Sequence, residues 1–303
     1  MSKILAIILF AFAITATAKE TVTINYSFSQ ADSMANYTRT LAEEANKQQD
    51  KYNFIFDAKP GAGGAIATNW LKANPTNSIV MHSSAFWIRP NFFPNESYSV
   101  ADFKELLPEC LGPIAISSVK YKPFKDVPAN APFTIAVSGM GVTTHLVALQ
   151  LAGKYPNLKV VPFKSTTDGL LSMIGGNIDM TVSFLSEPEE WDKDGSKVRV
   201  NILGITGSKD IHKHPTLVSQ GFPKILANLN APHHLIVSAQ VPDEKFKEWR
   251  SILVKASTAK SVQASYAVDS CVPINTTSDA DLQPWFNMQN SQWKQLTEGV
   301  KIN

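Results

Sequence analysis

Cysteine is nearly absent from this 303-residue chain: Cys110 and Cys271 are the only two, and their separation forms no zinc-binding or redox spacing. They permit one disulfide and, equally, two separate core thiols, since free cysteine is commonly buried. Blocks of like charge are missing as well. Lys+Arg number 28 against 26 Asp+Glu, a formal net charge of +2 without clustering, so nucleic acid and polybasic membrane contact find no support. Catalytic signatures are as scarce: there is no Gly-x-Ser-x-Gly elbow, no His-Glu-x-x-His zinc helix and no Gly-Lys-Ser/Thr after a four-residue gap. His212, His214, His233 and His234 have no partnered cysteine or acidic cluster nearby, and they read as loop or core histidines rather than ligands. No metal and no cofactor is therefore expected, and the Ser, His and Asp residues are too scattered to define a triad.

Only one long apolar run occurs. Residues 4–14 follow the positive start Met1-Ser2-Lys3 and precede Ala16-Thr17-Ala18, a small-x-small cleavage signature, so residues 1–18 read as a signal peptide. The alternative, an uncleaved anchor, needs roughly 20 apolar residues, and the run is shorter. Export as a soluble chain beginning near Lys19 is the expectation. With 44% hydrophobic and 18% charged residues, that chain is long enough for a sizeable core divided between two lobes.

Strand-like and helix-like segments then alternate, which points to the α/β class. Strands are expected at 21–26, 52–56, 78–82, 133–137, 159–162, 177–184, 198–205 and 235–239. Met34, Tyr37, Leu41, Ala42 and Ala45 recur at helical spacing after the first strand, with Asp32 or Ser33 as N-cap. Ile66, Trp70 and Leu71 are expected to face inward from a second helix, and Phe246, Trp249 and Leu253 from one opened by Pro242. Ser278 with Asp281 resembles a capping box for a last helix carrying Trp285, Trp293 and Leu296.

Ser138-Gly139-Met140-Gly141-Val142-Thr143-Thr144-His145 joins the strand at 133–137 to a helix. A strand, a glycine turn and a helix start aim unpaired backbone N–H groups at an anion. The dinucleotide version of this motif needs a third glycine and an acidic residue about 20 positions on, and Val160-Val161-Pro162 stands there instead. Carboxylate is the remaining anion. Equally, Gly139 and Gly141 serve only a tight turn, because glycine adopts positive φ without steric cost. His145 reads as packed and hydrogen-bonded.

Other stretches stand in a fixed order: Lys59-Pro60-Gly61-Ala62-Gly63-Gly64, Asn74-Pro75 with Ser83-Ser84, Val161-Pro162-Phe163-Lys164, Gly175-Gly176-Asn177-Ile178-Asp179, His214-Pro215-Thr216-Leu217 and Gly221-Phe222-Pro223. Together with the 138–146 turn they resemble the motifs of the extracytoplasmic solute receptors of the tripartite tricarboxylate transporter system, the Bug family, from Thr21 to Val300. The resemblance implies a two-lobed periplasmic binding protein fold of type II, each lobe a mixed sheet flanked by helices. Lobe 1 is expected from 19–105 and 232–303 and lobe 2 from 106–231, with hinge crossings near 106–116 and 226–237. It further implies a periplasmic monomer that hands a small carboxylated solute to membrane permease subunits and performs no chemistry on it. By that likeness Phe28, Ser29, Gln30, Asp32, Ser33 and Met34 with Gly139, Met140, Gly141, Val142, Thr143 and Thr144 form an anion cradle. Ser83, Ser84, Ser165, Thr166 and Ser183 line the rest, while Asp179 and His145 frame the loops.

Two departures bear on the solute. Ala35 stands where the family carries Asp, with an acidic group three residues earlier at Asp32, and Val142 replaces the family's Ser. Asp32 either caps its helix or faces the cleft, where it would repel a second carboxylate and favour an amino-acid-like solute. An exported α/β enzyme and a sensory receptor for a membrane kinase are the competing readings.

Overall fold

The computed structural model describes residues 18–192, 198–268, 270–274 and 278–302. All of the expected leader except Ala18 lies outside the described residues. The first lobe opens with β1 (Glu20–Tyr26), α1 (Ser33–Lys47), β2 (Tyr52–Ala58), α2 (Ala65–Ala73), β3 (Ser78–Ser83), α3 (Ala85–Phe92) and β4 (Phe103–Gly112). The second follows with β5 (Ile114–Ser118), β6 (Phe133–Val137), α4 (Thr143–Ala152), β7 (Leu158–Pro162), α5 (Thr166–Ile174), β8 (Met180–Phe184), α6 (Ser186–Trp191) and β9 (Asn201–Ile205). The chain then returns to the first lobe as β10 (Ala231–Ser238), α7 (Asp243–Ser257), α8 (Lys260–Val268), β11 (Val272–Pro273) and α9 (Asp279–Thr297).

Both sheets are mixed, ordered β11-β4-β10-β3-β1-β2 and β7-β6-β8-β5-β9. In each, a parallel trio (β2, β1 and β3; β7, β6 and β8) is continued by antiparallel strands. Parallel strands joined through helices carry their loops to one end of the sheet, which faces the other lobe. β4 stays paired with β10 as far as Gly112↔Ala231, so residues 106–112 and Ala231, expected in the second lobe, belong to the first sheet. The sheets divide at Pro113 and just before Ala231, and these crossings lie side by side. Thr206 ties them together: its hydroxyl accepts from the Ile114 N–H at 2.9 Å and donates to Asn230 Oδ1 at 2.7 Å.

Local chemistry explains the helices. Met34, Ala35, Tyr37, Thr38, Leu41, Ala42 and Ala45 form the buried stripe of α1. In α2 the buried face is Ala65, Ala67, Thr68 and Leu71, which corrects the expectation for Ile66 (50% exposed) and Trp70 (half-buried). The cause lies at the helix start. Gly64, at φ +92°, sits so near the His82 ring that a Cβ would approach it to 2.5 Å, and small Ala67 and Thr68 follow it against the sheet. The bulky Ile66 and Trp70 are rotated outward. Trp249 and Leu253 are buried in α7 and Phe246 half-buried. Ser278 caps α9 by accepting from the Ala280 N–H at 3.2 Å, without a reciprocal bond from the Asp281 side chain among the described residues.

Strand limits shift modestly. β8 begins only at Met180, since Gly175-Gly176-Asn177 is still turning, and β10 begins four residues before Leu235. Cys110 and Cys271, left open by the sequence, are bonded at 1.99 Å, joining β4 to the segment that enters β11.

Candidate functional site

The two lobes meet over a narrow inner cavity lined by Phe28, Asp32, Ser83, Ile114, Ser138, Val142, Thr143, Thr144, Thr166, Phe184 and Ala231. Its free space is ≈ 10 Å³. That is about the room for one water, so the lobes are closed on each other. A larger cavity of ≈ 570 Å³ lies at the mouth, between the glycine turns at 61–63 and 139–140, with Arg89, Pro162, Phe163, Lys164 and Asp168.

The structure brings together Phe28, Asp32, Ser83, Val142, Thr143, Thr144 and Thr166 of the sequence-predicted residues, and sets Gly139 and Met140 at the mouth. Others fall outside both linings for identifiable reasons. Met34 lies on the buried face of α1 and packs into the first-lobe core. Ser183 points to the opposite face of β8 from Phe184, because adjacent strand residues alternate. Ser165 is the N-cap of α5, its hydroxyl accepting from the Asp168 N–H at 3.0 Å, and it reaches the site only indirectly, by bonding to Asp32. Ser84 bonds the Thr143 hydroxyl from behind, and the Gly141 N–H donates to His145 Nδ1 at 3.1 Å. Ser29 is half-buried and closes its own turn, accepting from the Ala31 N–H at 3.3 Å, while Gln30 is exposed and Ser33 half-buried.

Ile114, Ser138, Phe184 and Ala231 were not foreseen. Ile114 and Ala231 become neighbours only through the paired crossings, and no local pattern marks them. Ser138 and Phe184 follow from strand parity once β6 and β8 are bounded.

The two cradle loops do converge, but they differ in chemistry. α4 begins without a side-chain cap, at Val142, leaving its first-turn N–H groups for an anion. The loop before α1 instead spends the Ala31 and Asp32 N–H groups on Ser29 and presents a carboxylate. Asp32 occupies the N-cap position of α1 without making the cap bond. Its Oδ1 accepts from Thr167 Oγ1 of the second lobe at 2.9 Å and its Oδ2 from the Tyr26 hydroxyl at 3.3 Å. Burial pushes its pKa from 3.8 up to about 6, with the charge of Asp168 adding to the rise and hydrogen bonds from the Thr167, Tyr26 and Ser165 hydroxyls opposing it.

Closure rests on further contacts between the lobes. Arg89, ion-paired with Glu96 at 2.7 Å, donates from Nη1 to the Met140 carbonyl at 3.0 Å. Gly63 and Gly139 touch backbone to backbone: a Cβ on Gly139 would stand 3.5 Å from Gly63 Cα. His145 is buried, which lowers its pKa to about 4 and leaves it a neutral acceptor that frames the 138–142 loop. Asp179 frames the far end of β6, accepting from the Thr134 N–H at 2.9 Å. His212 and His214 both pair with Glu189 on the surface, and His233 and His234 are core residues.

Comparison with known proteins places this architecture. No protein-family model matches the chain. A UPF0065 protein from the clcB-clcD intergenic region of Pseudomonas knackmussii is 25% identical over 174 residues, 55% of this chain and 98% of that one. The periplasmic binding protein BugD superposes with a TM-score of 0.81 at 20% identity, over 92% of this chain and 97% of its own. This chain has the Bug-receptor fold. MatC from Rhodopseudomonas palustris, solved with bound malate, gives the same TM-score of 0.81 at 16% identity, over 92% and 99% of the two chains. The Bug-receptor fold accounts for the two mixed sheets and the double crossing, and it agrees with the family recognised from the ordered motifs.

Proposed function

We propose that the protein is an extracytoplasmic receptor that traps a small carboxylated solute between its lobes and delivers it to a tripartite tricarboxylate-type membrane permease. The observation that carries this reading is the uncapped start of α4 opening onto a cavity lined by Ser83, Ser138, Thr143, Thr144 and Thr166 and shared by both lobes. Fixed N–H groups and hydroxyls hold a carboxylate without a lysine or arginine, and closing the lobes removes competing water. The closed cavity has room for about one water and none for a dicarboxylate, so capture requires rotation about the Pro113 and Ala231 crossings, followed by closure on the solute. The malate bound to MatC is a solute of the same chemical class.

In this reading residues 1–18 act as a leader that directs the receptor to the periplasm, where it works as a monomer; among the described residues no helix is long and apolar enough to cross a membrane. No bond of the solute is broken: His145 is committed to the Gly141 N–H, and the hydroxyls bonded to Asp32 donate to it rather than to a substrate.

A thermal-shift panel of mono-, di- and tricarboxylates tests the reading. An acid present at 100 times its Kd stabilises the folded chain by about 2.7 kcal/mol and raises Tm by several degrees. A panel in which no acid moves Tm contradicts it.

A further inference from the structure

Asp32 gives the inner cavity a negative charge, and no ion pair to it is made among the described residues. Among its described lining residues Asp32 alone is ionisable, and it is 3% exposed. The nearby cations serve elsewhere: Arg89 and Lys164 line the outer cavity, and Arg89 is engaged by Glu96 and the Met140 carbonyl. The surroundings add negative charge. Asp168 stands close enough to act on Asp32, and the Thr166 hydroxyl in the cavity wall spends its proton on Glu187 at 2.6 Å. The Asp32 carboxylate receives the neutral hydroxyls of Thr167, Tyr26 and Ser165, whereas a carboxylate accepts about four hydrogen bonds in all.

Resting on the receptor reading above, we propose that the solute carries a positively charged nitrogen beside its carboxylate, seated against Asp32: a zwitterion of the amino-acid type and not a simple dianion. The two ends of the cavity fit its two ends. The carboxylate lies on the first-turn N–H groups of α4 at Val142, Thr143 and Thr144, and the ammonium donates to the remaining acceptor position of Asp32 on the first lobe. Since Asp32 also accepts from Thr167 across the cleft, an ammonium at this point neutralises the carboxylate that joins the lobes and strengthens closure. A dianion in the same place would set its second carboxylate against Asp32, with no cation among the described lining residues.

Calorimetric titration of the purified full-length mature chain with matched pairs that differ only in ammonium against hydroxyl decides the matter: alanine with lactate, aspartate with malate, glutamate with 2-hydroxyglutarate. The expected result is an amino acid bound at least tenfold more tightly than its hydroxy analogue, with that ratio falling below threefold in Asp32→Asn. Hydroxy acids binding as tightly as their amino partners in every pair, or a ratio unchanged in the variant, overturns the inference while leaving the receptor reading intact. Should no acid of either kind bind, both fall. If Asp32→Asn does not fold, the wild-type ratios alone decide.

Discussion

Replacing Asp32 by asparagine should make the solute-free protein more stable. The carboxyl is held at about 6 rather than 3.8, so the native state binds its proton more tightly than the unfolded chain does. The contribution of this group to stability is therefore most favourable below the unfolded value and is lost as pH rises through about 6. A shift of roughly two units corresponds to about 3 kcal/mol missing at pH 7. Asparagine is the same size and carries no charge, and its oxygen still accepts from Thr167, so it should recover about 1–3 kcal/mol, or about 2–4 °C in Tm for each kcal/mol. Scanning calorimetry of both proteins at pH 4, 5.5 and 7 is the assay. The gap should be widest at pH 7 and close below pH 4. A variant that melts at or below the wild-type temperature at pH 7, or a gap independent of pH, refutes the reasoning that burial of this charge is uncompensated. Such a cost at a binding position is the usual relation between function and stability.

Three further outcomes follow from other contacts. Changing Cys110 and Cys271 together to serine opens a loop of 161 residues and should cost about 2–5 kcal/mol in urea unfolding, while solute affinity at low temperature stays within about threefold. Gly63→Ala places a Cβ 2.7 Å from Val142 Cγ1 of the other lobe, at a φ of +58°, so closure is impeded. Affinity should fall by about tenfold or more, roughly 1.4 kcal/mol, and partly return in Gly63→Ala with Val142→Ala. Burial drives Glu105 well up and His234 down to about 3, so their 2.8 Å contact is a carboxylic acid donating to a neutral imidazole rather than an ion pair. Glu105→Gln should then change stability by less than about 1 kcal/mol, whereas Glu105→Ala leaves His234 Nδ1 unpaired and costs about 1–3 kcal/mol by the same measurement.

The parts of the fold written in local pattern were legible. The 133–152 strand-turn-helix unit and the α1 stripe carry their periodicity within a dozen residues, and both stand as expected. α3 was not expected: its short run contains Pro90, which normally argues against a helix, and its stability comes from burying Phe86, Trp87 and Ile88. The facing of α2 was misread because the glycines before it, not its own apolar residues, set its rotation. At the site, the α4 start was readable from its glycine turn, while Ile114 and Ala231 depend on two crossings more than a hundred residues apart. The disulfide is non-local in the same way. Asp32 was ambiguous between cap and cleft, since either role suits an acidic residue before a helix. Its missing cap bond and its contact with Thr167 settle it as a cleft residue.

The most direct test of the whole account is amide hydrogen exchange with and without the tightest-binding acid from the carboxylate panel. If the lobes close on the solute, amides of residues 28–34 and 139–146 should slow together on addition of the acid. Protection of one segment without the other, or of neither while the acid remains bound, would contradict capture between the two loops.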